Sequence, residues 1–126
     1  MRIIMALVIT AMAAAEATHA WAADAASKTP KAYVIGEVNV TDPETYKTYA
    51  AKTSPIVAKF GGIYIARGGQ SVPVEGASPA GRVVVIEFPS LAAAKAFEAS
   101  AEYLKVAPIR QRSSTGRFFI VEGTAP

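Results

Sequence analysis

The chain has 126 residues, with 13 Lys+Arg against 10 Asp+Glu, a formal net charge of +3 and no cysteine. That is one domain's worth of chain, without a disulfide framework, a thiol nucleophile or a cysteine-ligated metal. Its 52% hydrophobic and 18% charged residues exclude a disordered chain, and the mild basic excess forms no long block. No aromatic–basic interleaving of the kind that binds single strands accompanies it, so no nucleic-acid partner is expected.

Met1-Arg2 opens an apolar run from Ile3 to about Ala15, followed by small residues and an A-x-A box at Ala20-Trp21-Ala22. This pattern predicts a secretory signal peptide over residues 1–22, cut after Ala22, and therefore a periplasmic or secreted protein. The run of about 13 residues falls short of the roughly 20 that span a bilayer, so no stable membrane anchor is expected after cleavage. Cleavage removes Arg2 and Glu16 together and leaves the charge at +3. It also removes His19, Trp21, Met1, Met5 and Met12, the only residues of their types. A chain without His, Cys or Met has no Ser-His-Asp triad, no His-ligated zinc and no His- or Met-ligated haem. The acidic residues show no metal-ligand spacing either, and no cofactor is expected.

Residues 23–31 are small and polar and read as a flexible tether. Ala32 to Val40 alternates with period two and predicts a strand, with Val34, Gly36, Val38 and Val40 on one face and Tyr33, Ile35, Glu37 and Asn39 on the other. Thr41-Asp42-Pro43-Glu44 is a helix start, and Tyr46, Tyr49, Ala50, Thr53, Val57 and Phe60 recur at helical spacing. Pro55 predicts a kink there or a restart capped by Ser54. Gly61-Gly62 ends the helix.

Ile63 to Arg67 is a second strand, residues 69–81 a Gly/Ser/Pro-rich loop, and Arg82 to Phe88 a third strand. Ser90 caps a second helix, on which Phe97, Ala101 and Leu104 line up. Ser100 is a point of restart, and Pro108 predicts a kink or an end. Arg117 to Glu122 is the last strand, with residues 124–126 a short tail.

The order β-α-β-β-α-β over residues 32–123 predicts an α+β, ferredoxin-like domain: a four-stranded antiparallel sheet with two helices on one face. The third strand is apolar on both faces, as strands buried on both sides are. Two helices cover one face, so a second copy of the chain is expected on the other. A mature chain of about 104 residues, burying roughly two-thirds of its unfolded surface alone, gains stability from such a homodimer.

Strand parity puts Tyr33, Ile35, Glu37 and Asn39 on one face with Ile63, Ile65 and Arg67, with Val83, Val85 and Glu87, and with Phe118, Ile120 and Glu122. This makes an apolar groove with carboxylates and one arginine at its rims, the general makeup of a small-molecule pocket. In a functional reading, a desolvated Glu37 or Glu87 is the general base. Arg67 holds an anionic substrate, and Tyr33, Tyr64, Tyr46 or Tyr49 orients it or donates a proton. In a structural reading the same carboxylates and arginine form rim ion pairs, and the tyrosines pack the core. Two weaker motifs are a phosphate-cradling turn at Arg67-Gly68-Gly69 and an anion site at Arg110, Arg112 and Arg117 with Ser113 and Ser114.

A series of short motifs then acquires a family likeness. They are Tyr33 with Glu37, Val40-Thr41-Asp42-Pro43-Glu44 with Tyr46 and Tyr49, Lys59-Phe60-Gly61-Gly62, Arg67-Gly68-Gly69 and Glu75-Gly76. They continue as Arg82-Val83-Val84-Val85-Ile86-Glu87-Phe88-Pro89, Glu102-Tyr103, Arg110 and Val121-Glu122-Gly123. In order and spacing the chain from Tyr33 onward resembles the family called domain of unknown function 1330. That resemblance implies a dimeric α/β-barrel, in which two ferredoxin-like sheets pack face to face. Relatives in that superfamily include cofactor-free monooxygenases, lactone isomerases and haem-handling proteins. The family has no established activity, so two readings rest on the groove residues themselves. One is binding of a small organic molecule between sheet and helices or at the dimer interface, with any chemistry cofactor-free and monooxygenase- or isomerase-like through Glu, Tyr and Arg. The other is an interaction module whose sheet face serves only dimerisation. Haem would be limited here to tyrosine or non-side-chain ligation.

Overall fold

The computed structural model describes residues 29–126. The expected signal peptide, and the tether up to residue 28, lie outside the described residues. From there the order is β1 (Ala32–Val40), α1 (Pro43–Lys59), β2 (Ile63–Arg67), β3 (Arg82–Phe88), α2 (Leu91–Ala99), α3 (Ala101–Ser113) and β4 (Ser114–Glu122). The strands form one sheet in the order β2-β3-β1-β4 with every neighbouring pair antiparallel, which is the expected ferredoxin-like arrangement. Among the described residues no helix is long and apolar enough to cross a membrane.

α1 starts where its capping chemistry predicts. Asp42 is the N-cap, its Oδ1 accepting from Thr45 N at 3.2 Å, with Pro43 in the first turn. Tyr46, Tyr49, Thr53 and Val57 form its buried stripe. The helix runs unbroken through Pro55, against the expected restart at Ser54. Ser54 Oγ instead donates back to the Ala50 carbonyl at 2.9 Å. Pro55 and Ala51 both lie on the exposed face, so the carbonyl that loses its helical donor stays within reach of water. Pro108 is exposed in the same way, four residues after the exposed Leu104, and α3 continues past it to Ser113.

The expected restart at Ser100 does occur. Ser100 donates to the Phe97 carbonyl at 2.7 Å, closing α2, and accepts from Tyr103 N at 3.2 Å, opening α3. The second helix is therefore two. The alignment of Phe97, Ala101 and Leu104 assumed one continuous helix. Across the break Phe97 is buried, while Ala101 and Leu104 face solvent and Tyr103 and Val106 turn inward.

The core lies between the helices and one face of the sheet. Val34, Val38, Val84, Ile86 and Phe88 supply the sheet side, with Tyr46, Tyr49, Val57, Phe97 and Tyr103 above them. Phe97 is its hub, with ring centroids 5.2 Å from Phe88 and 4.6 Å from Tyr103. Gly36 makes room in this layer: a Cβ there would lie 2.4 Å from Cε1 of Phe118, the residue opposite it on β4. The other sheet face carries Ile63, Ile65, Phe119 and Val121, all exposed in the single chain.

Candidate functional site

Two observations rearrange the groove expected from strand parity. The first is a bulge in β2. Ile63 and Tyr64 oppose Glu87 and Ile86, but Ala66 opposes Val85 and Arg67 opposes Val84, so Ile65 is the extra residue. The bulge inverts the parity of the last two positions. Arg67 therefore lies on the helix side of the sheet, where its Nη2 donates to Ser54 Oγ at 2.9 Å and to the Ala50 carbonyl at 3.3 Å. Its guanidinium carbon stands 4.1 Å from the Tyr64 ring centroid.

The second is the register of β4. Phe118 opposes Gly36 and Ile120 opposes Val34, so both join the helix-side face, while Arg117 opposes Glu37 on the outer face. Arg117 Nε donates to Glu37 Oε2 at 2.9 Å, and Lys31 Nζ donates to Glu87 Oε1 at 2.7 Å. Glu37, Glu87 and Tyr33 thus share the outer face, and Arg67, Tyr46, Tyr49 and Tyr64 lie on the other side of the sheet. The groove expected to join Glu37, Arg67 and Glu87 does not form within the chain. Nor is Glu37 raised toward a general base: the Arg117 hydrogen bond holds its carboxyl below the ordinary range, outweighing burial.

The helix-side residues do come together. Tyr46, Tyr49 and Ala50 of α1 close over Tyr64, Arg67 and Arg82 of the sheet, around a cavity of about 30 Å³ floored by Val84, Ile86 and Phe118. This deep space has room for one or two waters. Tyr46, Ala50 and Arg82 also line an adjoining groove of about 360 Å³, together with Val40, Pro43 and Lys47. A groove of that size is within the range of small-molecule sites.

Each side chain is placed by a local cause. Tyr46 and Tyr49 are three apart on the buried stripe of α1, with ring centroids 5.5 Å apart. Arg82, at the start of β3, shares the parity of Val84 and Ile86 and points toward α1. Its guanidinium carbon lies 5.4 Å from the Tyr46 ring centroid, and its Nη2 donates to the Arg67 carbonyl at 3.2 Å. Gly68 leaves it space: φ is +74°, and a Cβ there would meet Arg82 Nη2 at 2.7 Å. The Gly68 amide donates to the Val83 carbonyl at 2.9 Å, so the Arg67-Gly68-Gly69 turn extends the sheet pairing rather than cradling a phosphate.

Behind the cavity, the hydroxyls of Tyr49 and Tyr103 lie 3.1 Å apart, and Arg110 stands 4.3 Å from the Phe118 ring centroid. Burial raises the Tyr46, Tyr49 and Tyr64 hydroxyls, so all three stay protonated donors near neutral pH. For Tyr46 the neighbouring Arg82, Arg110 and Arg67 work against that rise. Burial also raises the Glu98 carboxyl, partly offset by Arg110. Among the described residues no three His, Cys, Asp or Glu side chains gather as a metal site.

Arg82 and Tyr103 are absent from the expected site, and Phe118, expected on the carboxylate face, lines the cavity on the opposite face. Arg82 was within reach of period-two reasoning, since it precedes Val84 by two residues. The face taken by Phe118 was not, because β4 is apolar on both faces. Of the arginines expected as an anion site, Arg110 on α3 faces inward and Arg117 on β4 pairs with Glu37, so they form no single site.

Residues 31–124 match the family model described as "Domain of unknown function (DUF1330)". No curated protein matches the chain. Among solved structures, the chain is similar to a protein of unknown function from Rhodopseudomonas palustris. The TM-score is 0.63 at 18% identity, over 86% of this chain and 95% of that one. It is also similar to SnoaB, a cofactor-independent oxygenase from Streptomyces nogalater. There the TM-score is 0.55 at 14% identity, over 78% of this chain and 97% of that one. At such identities the likeness is one of fold.

Proposed function

The chain belongs to the DUF1330 family, which brings no assigned activity with it, and from its own residues we propose that it binds a small organic molecule between α1 and the sheet. The observation that carries this reading is the convergence of Tyr46, Tyr49, Tyr64, Arg67 and Arg82 on one cavity, with an apolar-walled groove beside it. Apolar walls with a few converging polar groups are the usual makeup of such a site. The Tyr46 and Tyr64 hydroxyls donate to the ligand, and the guanidiniums stabilise negative charge on it. Acid–base chemistry in this cavity would run through those hydroxyls, because its walls carry no carboxylate.

In the same proposal the outer face, with Ile63, Ile65, Phe119 and Val121, packs on a second copy of the chain. Glu37, Glu87 and Tyr33 then belong to the interface, with Arg117 and Lys31 pairing the two carboxylates. Export by the segment at residues 1–22 would have the dimer work outside the cytoplasm.

The test of the ligand site is thermal unfolding in a panel of small organic acids, phenols and lactones, run on the wild type and on Ala50→Phe. Ala50 lines both spaces, so the larger ring fills them. At least one compound is expected to raise the wild-type midpoint and to have no effect on the variant. A panel without effect on the wild type overturns the ligand site and leaves the reading as an interaction module.

A further inference from the structure

The cationic side chains of the cavity have no acidic counterpart in its walls. Neither the residues lining the cavity nor those lining the groove include a carboxylate. The ion pairs among the described residues join Lys31 to Glu87, Lys59 to Glu102 and Arg117 to Glu37, and engage neither Arg67 nor Arg82. The Nε of Arg82 is buried without a hydrogen-bond partner. A half-buried guanidinium with an unmade hydrogen bond is costly unless an acceptor arrives to meet it. Lys47, at the outer end of the groove, adds a third positive charge.

Size divides the site in two. The deep space of about 30 Å³ admits a head group and no whole organic molecule. The groove of about 360 Å³ has room for a body, with Val40, Pro43, Ala50 and the Tyr46 ring as its apolar surface. A planar carboxylate matches the fork of a guanidinium, and tyrosine hydroxyls donate to its remaining lone pairs.

We propose that the ligand is a small organic carboxylate, its head group held between Arg67 and Arg82 under the Tyr46 and Tyr49 rings and its apolar body in the groove. This inference rests on the cavity being a ligand site, and it specifies the charge and shape of what enters. The Gly68 backbone is part of the device, because any side chain there would displace the Arg82 guanidinium.

The experiment compares benzoate, its neutral counterpart benzamide, and formate, which is a carboxylate without a body. Each is added to the full chain at matched ionic strength, and affinity is read from thermal unfolding and calorimetry. Benzoate is expected to raise the midpoint by on the order of 5 °C at ten times its Kd. Benzamide and formate are each expected to bind about tenfold more weakly or worse. Arg82→Gln is expected to weaken benzoate by about tenfold and leave benzamide unchanged. Arg82→Lys, which keeps the charge and loses the fork, weakens benzoate less and serves if the first variant does not fold. Arg117→Gln, on the outer face, leaves benzoate binding intact.

Benzamide binding as tightly as benzoate overturns the carboxylate while the ligand site stands. Formate binding as tightly as benzoate overturns the apolar body. Unchanged benzoate affinity in both Arg82 variants overturns the assignment to Arg82. Failure of all three compounds, together with failure of the broader panel, overturns the ligand site itself.

Discussion

The hydroxyls of Tyr49 on α1 and Tyr103 on α3 lie 3.1 Å apart, and both residues are buried. The pair ties two helices that are remote in sequence, directly behind the cavity. Burial, with Tyr103 beside it, pushes the Tyr49 hydroxyl up, so it remains a neutral hydrogen-bonding group across the working pH range. Removing one hydroxyl strands the other. Tyr103→Phe is expected to cost about 1–2 kcal/mol in urea unfolding, and the double variant with Tyr49→Phe less than the two single losses together. Additive losses would mean that the two hydroxyls do not depend on each other.

Gly36 and Phe118 make a second dependent pair. A methyl group at Gly36 would overlap three ring atoms of Phe118 at 2.4–2.9 Å, so the ring would have to move as a whole. Gly36→Ala is expected to cost about 1–3 kcal/mol, and to be partly rescued in a Phe118→Leu background. Denaturant midpoints of the four proteins measure this. Equal stability of Gly36→Ala and wild type would contradict the packing.

On the outer face, the Glu37–Arg117 pair predicts a dependence on pH. The hydrogen bond from Arg117 depresses the Glu37 carboxyl in the folded chain. A depressed carboxylate adds stability that is present above its unfolded value and is lost as pH falls through its folded value. The advantage of wild type over Arg117→Gln should therefore be full near neutrality and shrink below about pH 4. Salt should shrink it too, since the pair is exposed. A stability difference independent of pH would assign the effect of the variant to the Arg117 guanidinium over the Phe119 ring, 5.7 Å from its centroid.

The exposed apolar residues of that face predict the assembly state. Light scattering after size exclusion is expected to give a dimer mass at micromolar concentration, and Ile65→Glu a monomer. Ile65 is 54% exposed in the single chain, so the charge costs little until a partner covers it. A monomeric wild type would overturn the face-to-face dimer.

Local chemistry in the chain was enough for the order of elements. The Asp42-Pro43 cap, the Gly61-Gly62 stop, the Ser90 and Ser100 caps, the alternation of β1 and the apolar run of β3 act over a few residues, and each reads directly as structure. The fold class followed from that order, and so did the buried stripe of Tyr46, Tyr49, Thr53 and Val57. The site was less legible, because its residues meet only through long-range pairing. The bulge at Ile65 carries no glycine or proline to announce it, and it moves Arg67 from the carboxylate face to the tyrosine face. Phe118 and Phe119 are equally apolar, so alternation alone could not say which faces Gly36. The net charge of +3 was visible from the outset. Tertiary structure alone determined that two of the 13 basic residues, Arg67 and Arg82, stand in a cavity without a carboxylate, while Arg117 and Lys31 are matched across the sheet. Which charges pair and which stay open depends on strand register, and register is set by packing across the whole sheet rather than by any one segment.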